Sequence, residues 1–266
     1  MIAFSMYARS KSKTKGRKDM TRIPVAVQLY TLRDELEKDF KGTIEKVAEL
    51  GYEGVEFAGY GGYSAQEVRE LLEQVGLQVA ASHISLEQLE ENLEEVISFE
   101  KELGNTAIVC PYLAPERQTE EGYKQLISVL NHAERRCAEE GIRLYYHHHD
   151  FELKELPNGK SALETILDET NVGVEFDVYW LTKAGGNPVE WMKKYQNRAR
   201  LIHLKDMTTD DKQLFAPLGT GGVNLTAILS QGDNMDVKWW IIEQDQCEGP
   251  ALDSVKQSLG YYLQHA

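Results

Sequence analysis

An α/β fold of the (β/α)8 type, a TIM barrel forming a single domain, is what this sequence predicts, and three observations predict it. Short β-branched or apolar runs alternate along the chain with longer amphipathic stretches, the pattern of βα units around a parallel sheet. There are eight such runs, more than an open doubly wound sheet normally holds. The length, 266 residues with 42% hydrophobic and 27% charged, suits one large core.

The first strand is VAVQLYT (25–31), followed by DFKGTIEKVAELG (39–51), whose apolar residues recur three and four apart and whose final glycine stops a helix. GVEFAG (54–59) is the second strand, and SAQEVRELLEQVG (64–76) repeats the helical pattern and the glycine stop. QVAASHI (78–84), TAIVCPYL (106–113) and RLYYHHH (143–149) follow, then VGVEFDVYW (172–180), ARLIHLKD (199–206) and VKWWIIEQ (237–244). GPALDSVKQSLGYYLQHA (249–266) closes the helix count.

Composition excludes several partners. With 43 acidic against 29 basic side chains the chain carries a formal charge of −14, which speaks against nucleic acid, since that affinity draws on clustered Lys and Arg. Cys110, Cys137 and Cys247 are widely spaced and form no CxxC pattern, so neither a disulfide framework nor a thiolate zinc site is expected, and a cytoplasmic location is. No apolar run approaches the roughly 18 residues that cross a bilayer, so no membrane is expected. Residues 1–20 differ in composition: six Lys or Arg from Arg9 to Lys18 and almost nothing apolar after Tyr7. They are expected to be a basic disordered tail, with Met20 a candidate start and 21–266 the barrel.

Barrel sites are built where strands end. Those ends carry Glu56, His83, His147, His149, Glu152, Glu175, Asp177, His203, Lys205, Glu243 and Gln244. With His148, five of the seven histidines fall there, leaving His132 and His265 elsewhere. Carboxylates and imidazoles at one mouth suit one divalent ion of the Mn, Mg, Co or Zn group, and without a cation the acids would raise one another's pKa.

VQLYTLRD, LGYEGVEF, YHHHDFE, EFDVYW, IHLKD and IIEQD together resemble the xylose-isomerase-like TIM barrels, a superfamily of sugar phosphate isomerases and epimerases that includes inosose dehydratases, ketose 3-epimerases and endonuclease-IV-like proteins. The resemblance spans about residues 22–265. It implies a single metal held by acids of the fifth, sixth and eighth strands and a histidine of the seventh. Asp177, His203 and Glu243 occupy the last three places. The fifth departs from the pattern: a position that is glutamate in many relatives is His147 here, so either His147 coordinates or Glu152 supplies the carboxylate. Preserving the usual charge favours Glu152. A histidine expected three residues after Asp177 is Trp180, which cannot act as a base and either stacks on a sugar ring or belongs to the core.

The resemblance implies a metal-dependent isomerase or epimerase on a small sugar, keto-sugar or polyol, working by proton abstraction next to a carbonyl through an enediolate. A lyase or dehydratase on an inosose or 3-keto sugar is the alternative. His149, Glu152, Lys205 and Glu243 are the catalytic candidates, with Glu56, His83, His147 and Trp180 for substrate. An endonuclease-IV-like nuclease fits an acidic chain poorly, and a non-catalytic sugar-binding barrel fits the metal set poorly. LGTGGVNL (218–225) reads as a loop, with a phosphate cradle as the other reading. Homo-oligomerisation is left open.

Overall fold

The computed structural model describes residues 22–266, and the expected basic tail lies outside the described residues. Eight parallel strands close a barrel: β1 (Val25–Gln28), β2 (Gly54–Phe57), β3 (Gln78–His83), β4 (Ala107–Cys110), β5 (Arg143–His147), β6 (Gly173–Asp177), β7 (Leu201–Leu204) and β8 (Trp239–Ile242). Each pairs with its neighbours in sequence, and β1 closes on β8 through Val27 opposite Ile242. The fold class is the one expected. Several runs end earlier than read, because at the carboxyl end the chain must leave the sheet. Leu29–Leu32 form a 3-10 turn, His148 and His149 lie past β5, and Val178–Lys183 is a helix.

Local chemistry sets these ends. Asp39 caps the helix Phe40–Leu50 by accepting from the Gly42 amide, and that helix stops at Gly51, whose φ of +100° favours glycine. Ser64 and Glu67 form a reciprocal capping box on Ala65–Val75. Asp177 caps Val178–Lys183 with Oδ1, which accepts from the amides of Tyr179 and Trp180 and leaves Oδ2 for other work.

Alternation along each strand divides the side chains between two cores. Outward residues pack with the helices into the larger one. Inward residues Ala26, Ala81, Val109, Tyr145, Leu201 and Ile241 fill the barrel. Large and small positions interlock there: a Cβ on Gly173 would come within 2.2 Å of the Tyr145 ring, and one on Gly54 within 2.8 Å of Trp239. Between β2 and β3 the register shifts, Val55 lying opposite Val79 but Glu56 opposite Ala81. Without that extra residue His83 would point outward, since a one-residue slip reverses a strand's faces. Among the described residues no helix is long and apolar enough to cross a membrane.

Candidate active site

Above the apolar filling, the inward positions become polar. His147 ends β5, Asp177 ends β6, His203 lies on β7 and Glu243 follows β8, and one donor atom from each lies within 4.8 Å of the others. Nε2 of His147 is 3.4 Å from Oδ2 of Asp177, and Nδ1 of His203 is 2.8 Å from Oε2 of Glu243. His147 Nε2 is buried without a hydrogen-bond partner, and Asp177 Oδ2 has the Lys205 ammonium 3.0 Å away. An unpartnered imidazole nitrogen beside carboxylates in so dry a place is costly unless a cation is received there. Two imidazoles and two carboxylates fit a divalent ion of the Mn, Co or Zn kind. Of the two fifth-strand candidates, His147 stands in this group and Glu152 does not.

Glu152 is a correction. It lies in the 3-10 turn Phe151–Leu153, fully buried, where Oε1 accepts from the Tyr146 hydroxyl at 2.7 Å and Oε2 from the His149 amide at 2.8 Å. Tyr146 faces outward, so the carboxyl serves the back of β5, and burial pushes its pKa up to about 7. His148 also faces outward: its Nε2 accepts from the Asp177 amide at 3.2 Å, which fixes the tautomer.

A second layer lies beneath the first. His203 Nε2 is 2.6 Å from Glu56 Oε2 and 3.1 Å from Glu175 Oε2, and His83 Nε2 is 2.9 Å from Glu175 Oε2. Gln28 donates to Glu56 at 2.7 Å. Burial would lower the pKa of His83, but Glu56 and Glu175 raise it to about 10; His203 is raised well above the ordinary range against burial by Glu175, Glu56 and Glu243. Glu56 was expected to bind substrate hydroxyls. It is instead wholly buried on His203 and Gln28, and with His83, Glu175 and His203 it forms a second group whose donor atoms lie within 4.8 Å of one another. His83 keeps an edge on the cleft.

Lys205 is 1% exposed, with Nζ at 3.0 Å from Asp177, 2.6 Å from Glu243 and 2.6 Å from Asp245. These three carboxylates hold its pKa well above the usual value against burial. Asp245 was not singled out from sequence, although it follows Gln244 directly at the end of the eighth strand. Burial pushes its carboxyl up to about 6 against the pull of Lys205. His149 borders the cleft, its ring 5.6 Å from Phe151 and 5.2 Å from Trp180, and burial with the Lys205 charge lowers its pKa to about 3. Trp180 lines the same cleft with Nε1 unpartnered.

The glycine loop cradles an anion of the chain's own. Asp206 Oδ2 accepts from the amides of Gly219 and Gly221, both at 2.9 Å, and Oδ1 from Met207 at 2.8 Å and Val223 at 3.0 Å. A Cβ on Gly221 would fall 2.4 Å from that carboxylate. Asp206 therefore fills the place a phosphate would need. The two-residue hairpin Asp206–Met207 with Phe215–Ala216 brings Phe215 to the cleft, which measures about 740 Å³ and opens over His147, Lys205 and Glu243.

Fold and site together define a barrel enzyme scaffold with a metal-capable polar well at its carboxyl mouth. The chain belongs to the xylose isomerase-like TIM barrel family, whose model matches residues 44–265. It is 28% identical over 244 residues to an inosose dehydratase of Geobacillus kaustophilus, covering 76% of this chain and 79% of that protein. In structure it resembles a sugar phosphate isomerase/epimerase from Parabacteroides distasonis, with TM-score 0.79, 24% identity and coverage of 94% and 96% of the two chains. A D-allulose 3-epimerase from Methylomonas superposes with TM-score 0.69 at 13% identity over 92% of this chain and 98% of that one, a likeness of fold alone.

Proposed function

We propose that this chain is a divalent-metal-dependent enzyme that removes a proton next to the carbonyl of a keto-sugar or keto-polyol and then expels a neighbouring hydroxyl, a dehydratase in outcome. The convergence of His147, Asp177, His203 and Glu243 under an open cleft carries the proposal. A divalent ion held by those four would supply Lewis acidity toward the carbonyl. Lys205, beside Asp177 and Glu243, is placed to offset negative charge growing on the carbonyl oxygen. Asp245, which shares Lys205 and borders the cleft, takes the proton from carbon and returns it to the departing hydroxyl, which leaves as water; His149, held neutral, hydrogen-bonds a substrate hydroxyl. Trp180 offers its ring to the sugar and its indole N–H to an oxygen.

One observation supports dehydration: the relatives by sequence include inosose dehydratases, at 28% identity over 76% of this chain in the Geobacillus protein. Isomerisation or epimerisation shares the first step and follows if the proton is handed back to carbon, for which the cleft offers His149 as a second proton-handling group. Incubation of scyllo-inosose and 3-keto-glucose with the manganese-loaded protein in deuterated water separates these outcomes. Deuterium uptake with a growing conjugated-enone absorbance is expected. Uptake without the enone selects the isomerase, and no exchange into either compound overturns both.

A further inference from the structure

Four large apolar side chains are markedly exposed among the described residues, and two of them, Tyr30 at 44% and Tyr112 at 42%, border the reaction cleft. Tyr30 follows β1 and Tyr112 follows β4, so the rings stand three strands apart around the mouth. The turn that carries Tyr30 is anchored on both sides. The Tyr30 amide donates to Gln28 Oε1 at 3.0 Å while Gln28 Nε2 is held by Glu56, and Thr31 Oγ1 accepts from the Gln244 amide at 3.0 Å. The 3-10 turn is thereby tied to the polar well and to the end of β8. Arg33 donates to the Tyr30 carbonyl at 2.8 Å and lays its guanidinium 4.3 Å from the Tyr30 ring centre. No aromatic ring of the described residues packs against Tyr30. Tyr112 meets His149 and Phe151 edge-on, at 5.3 and 5.7 Å.

An exposed ring held in place from behind is a preformed surface for a flat or CH-rich ligand ring, because little side-chain freedom remains to be lost on contact. Space beyond the well points the same way. The 740 Å³ cleft could hold roughly 25 waters at about 30 Å³ each, well beyond a single hexose ring. A second cavity of about 280 Å³ continues from it, sharing Tyr30, Arg33, Ala58 and Gly59 and running on to Leu36 and Phe40.

We propose that Tyr30, braced by Arg33, and Tyr112 form a second ring subsite at the mouth of the barrel, so that the natural ligand is a glycoside whose reacting ring enters the well while its aglycone ring stacks outside. This rests on the reading of the well as a keto-sugar site, and it narrows the substrate class from free monosaccharides to compounds with two rings.

Binding of methyl β-glucoside, phenyl β-glucoside and cellobiose to the manganese-loaded protein, by calorimetry and tryptophan fluorescence, tests the subsite without any chemical step. Phenyl β-glucoside or cellobiose should bind at least tenfold more tightly than the methyl compound, and which one does so tells an aromatic from a sugar aglycone. Tyr30→Ala or Tyr112→Ala should abolish that preference, Tyr30→Phe should keep it, and Leu263→Ala, on the C-terminal helix, should keep it as a surface control. Equal affinities for all three probes, no binding of any, or a preference that survives Tyr30→Ala and Tyr112→Ala overturns the subsite. A Tyr30-dependent preference with no deuterium exchange into keto-sugars would uphold the subsite and sink the metal-assisted chemistry, so the two failures read differently.

Discussion

His203 Nδ1 lies 2.8 Å from Glu243 Oε2 across the seam between β7 and β8. Glu175, Glu56 and Glu243 raise the pKa of the same imidazole well above its ordinary value, against burial, and so favour its protonated form. A metal ion needs the neutral ring and so competes with a proton for it.

Metal affinity should therefore rise with pH. Lowering the pH favours the imidazolium and opposes binding; raising it removes the competitor. If one proton leaves per ion, the Kd for Mn2+ falls about tenfold per pH unit between about pH 6 and 8. Calorimetry in buffers of different ionisation heat counts the protons. A flat Kd across that range would show that the ion does not use His203.

His147→Ala and Glu152→Gln should part company. The first removes a metal donor and should weaken Mn2+ binding by about a hundredfold; the second should leave metal content near that of the parent protein. Glu152 should show instead in stability. Its folded pKa, about 7, exceeds the ordinary 4.5, so between those values the folded state binds the extra proton and stability falls as pH rises, by about 3 kcal/mol once above both. Glutamine cannot ionise, so the destabilisation by Glu152→Gln in urea melts should be smaller at about pH 8 than at about pH 5. The reverse order would mean that the carboxylate is stabilised where it lies.

Lys205→Met strips the cation shared by Asp177, Glu243 and Asp245. Leaving buried charge unpaired typically costs about 3–5 kcal/mol, so the metal-free Tm should drop by several degrees or more. Mn2+ should raise the variant's Tm by more than it raises the parent's, because the ion restores positive charge among the same acids. Solvent deuterium exchange should fall at least about a hundredfold. An unchanged metal-free Tm would show that the lysine does not hold those carboxylates together.

Asp206→Ala leaves four amides around the glycine loop without their acceptor. A loss of about 2–4 kcal/mol in urea melts is expected, with Asp206→Asn recovering part of it, since each amide bonded to a charged acceptor is worth about 1.5–3 kcal/mol and some regain water. Inorganic phosphate should not protect the parent protein from melting through this loop. A neutral Asp206→Ala would mean that the loop is held by other contacts.

The positions of Asp177, His203 and Glu243 at the carboxyl mouth follow from strands whose period of two sends alternate residues to the same side, while their grouping as a ligand set is what the family resemblance implies. Glu56 follows that rule in direction, but its inward carboxylate stops one layer below Asp177 and Glu243, a depth set by where Gln28 and His203 reach it. Glu152 escaped the rule because it lies five residues past His147 on a 3-10 turn, where the strand period no longer applies. Asp245 was passed over for the same reason, one residue beyond the last strand-like run, and only the position of Lys205 draws it in.

The amino-acid sequence by itself determined the eightfold alternation and so the barrel, its acidic surface and the ring of carboxylates and imidazoles at its carboxyl end. These follow from local periodicity and composition. Tertiary structure decided which fifth-strand candidate meets Asp177, which anion fills the glycine loop and which tyrosines stand exposed at the mouth. Each of these depends on groups far apart in the chain meeting within hydrogen-bond distance: His147 with Asp177, Asp206 with Gly219 and Gly221, and Thr31 with Gln244. Such meetings are fixed by closure of the barrel and the shift at β3, and no local pattern encodes them.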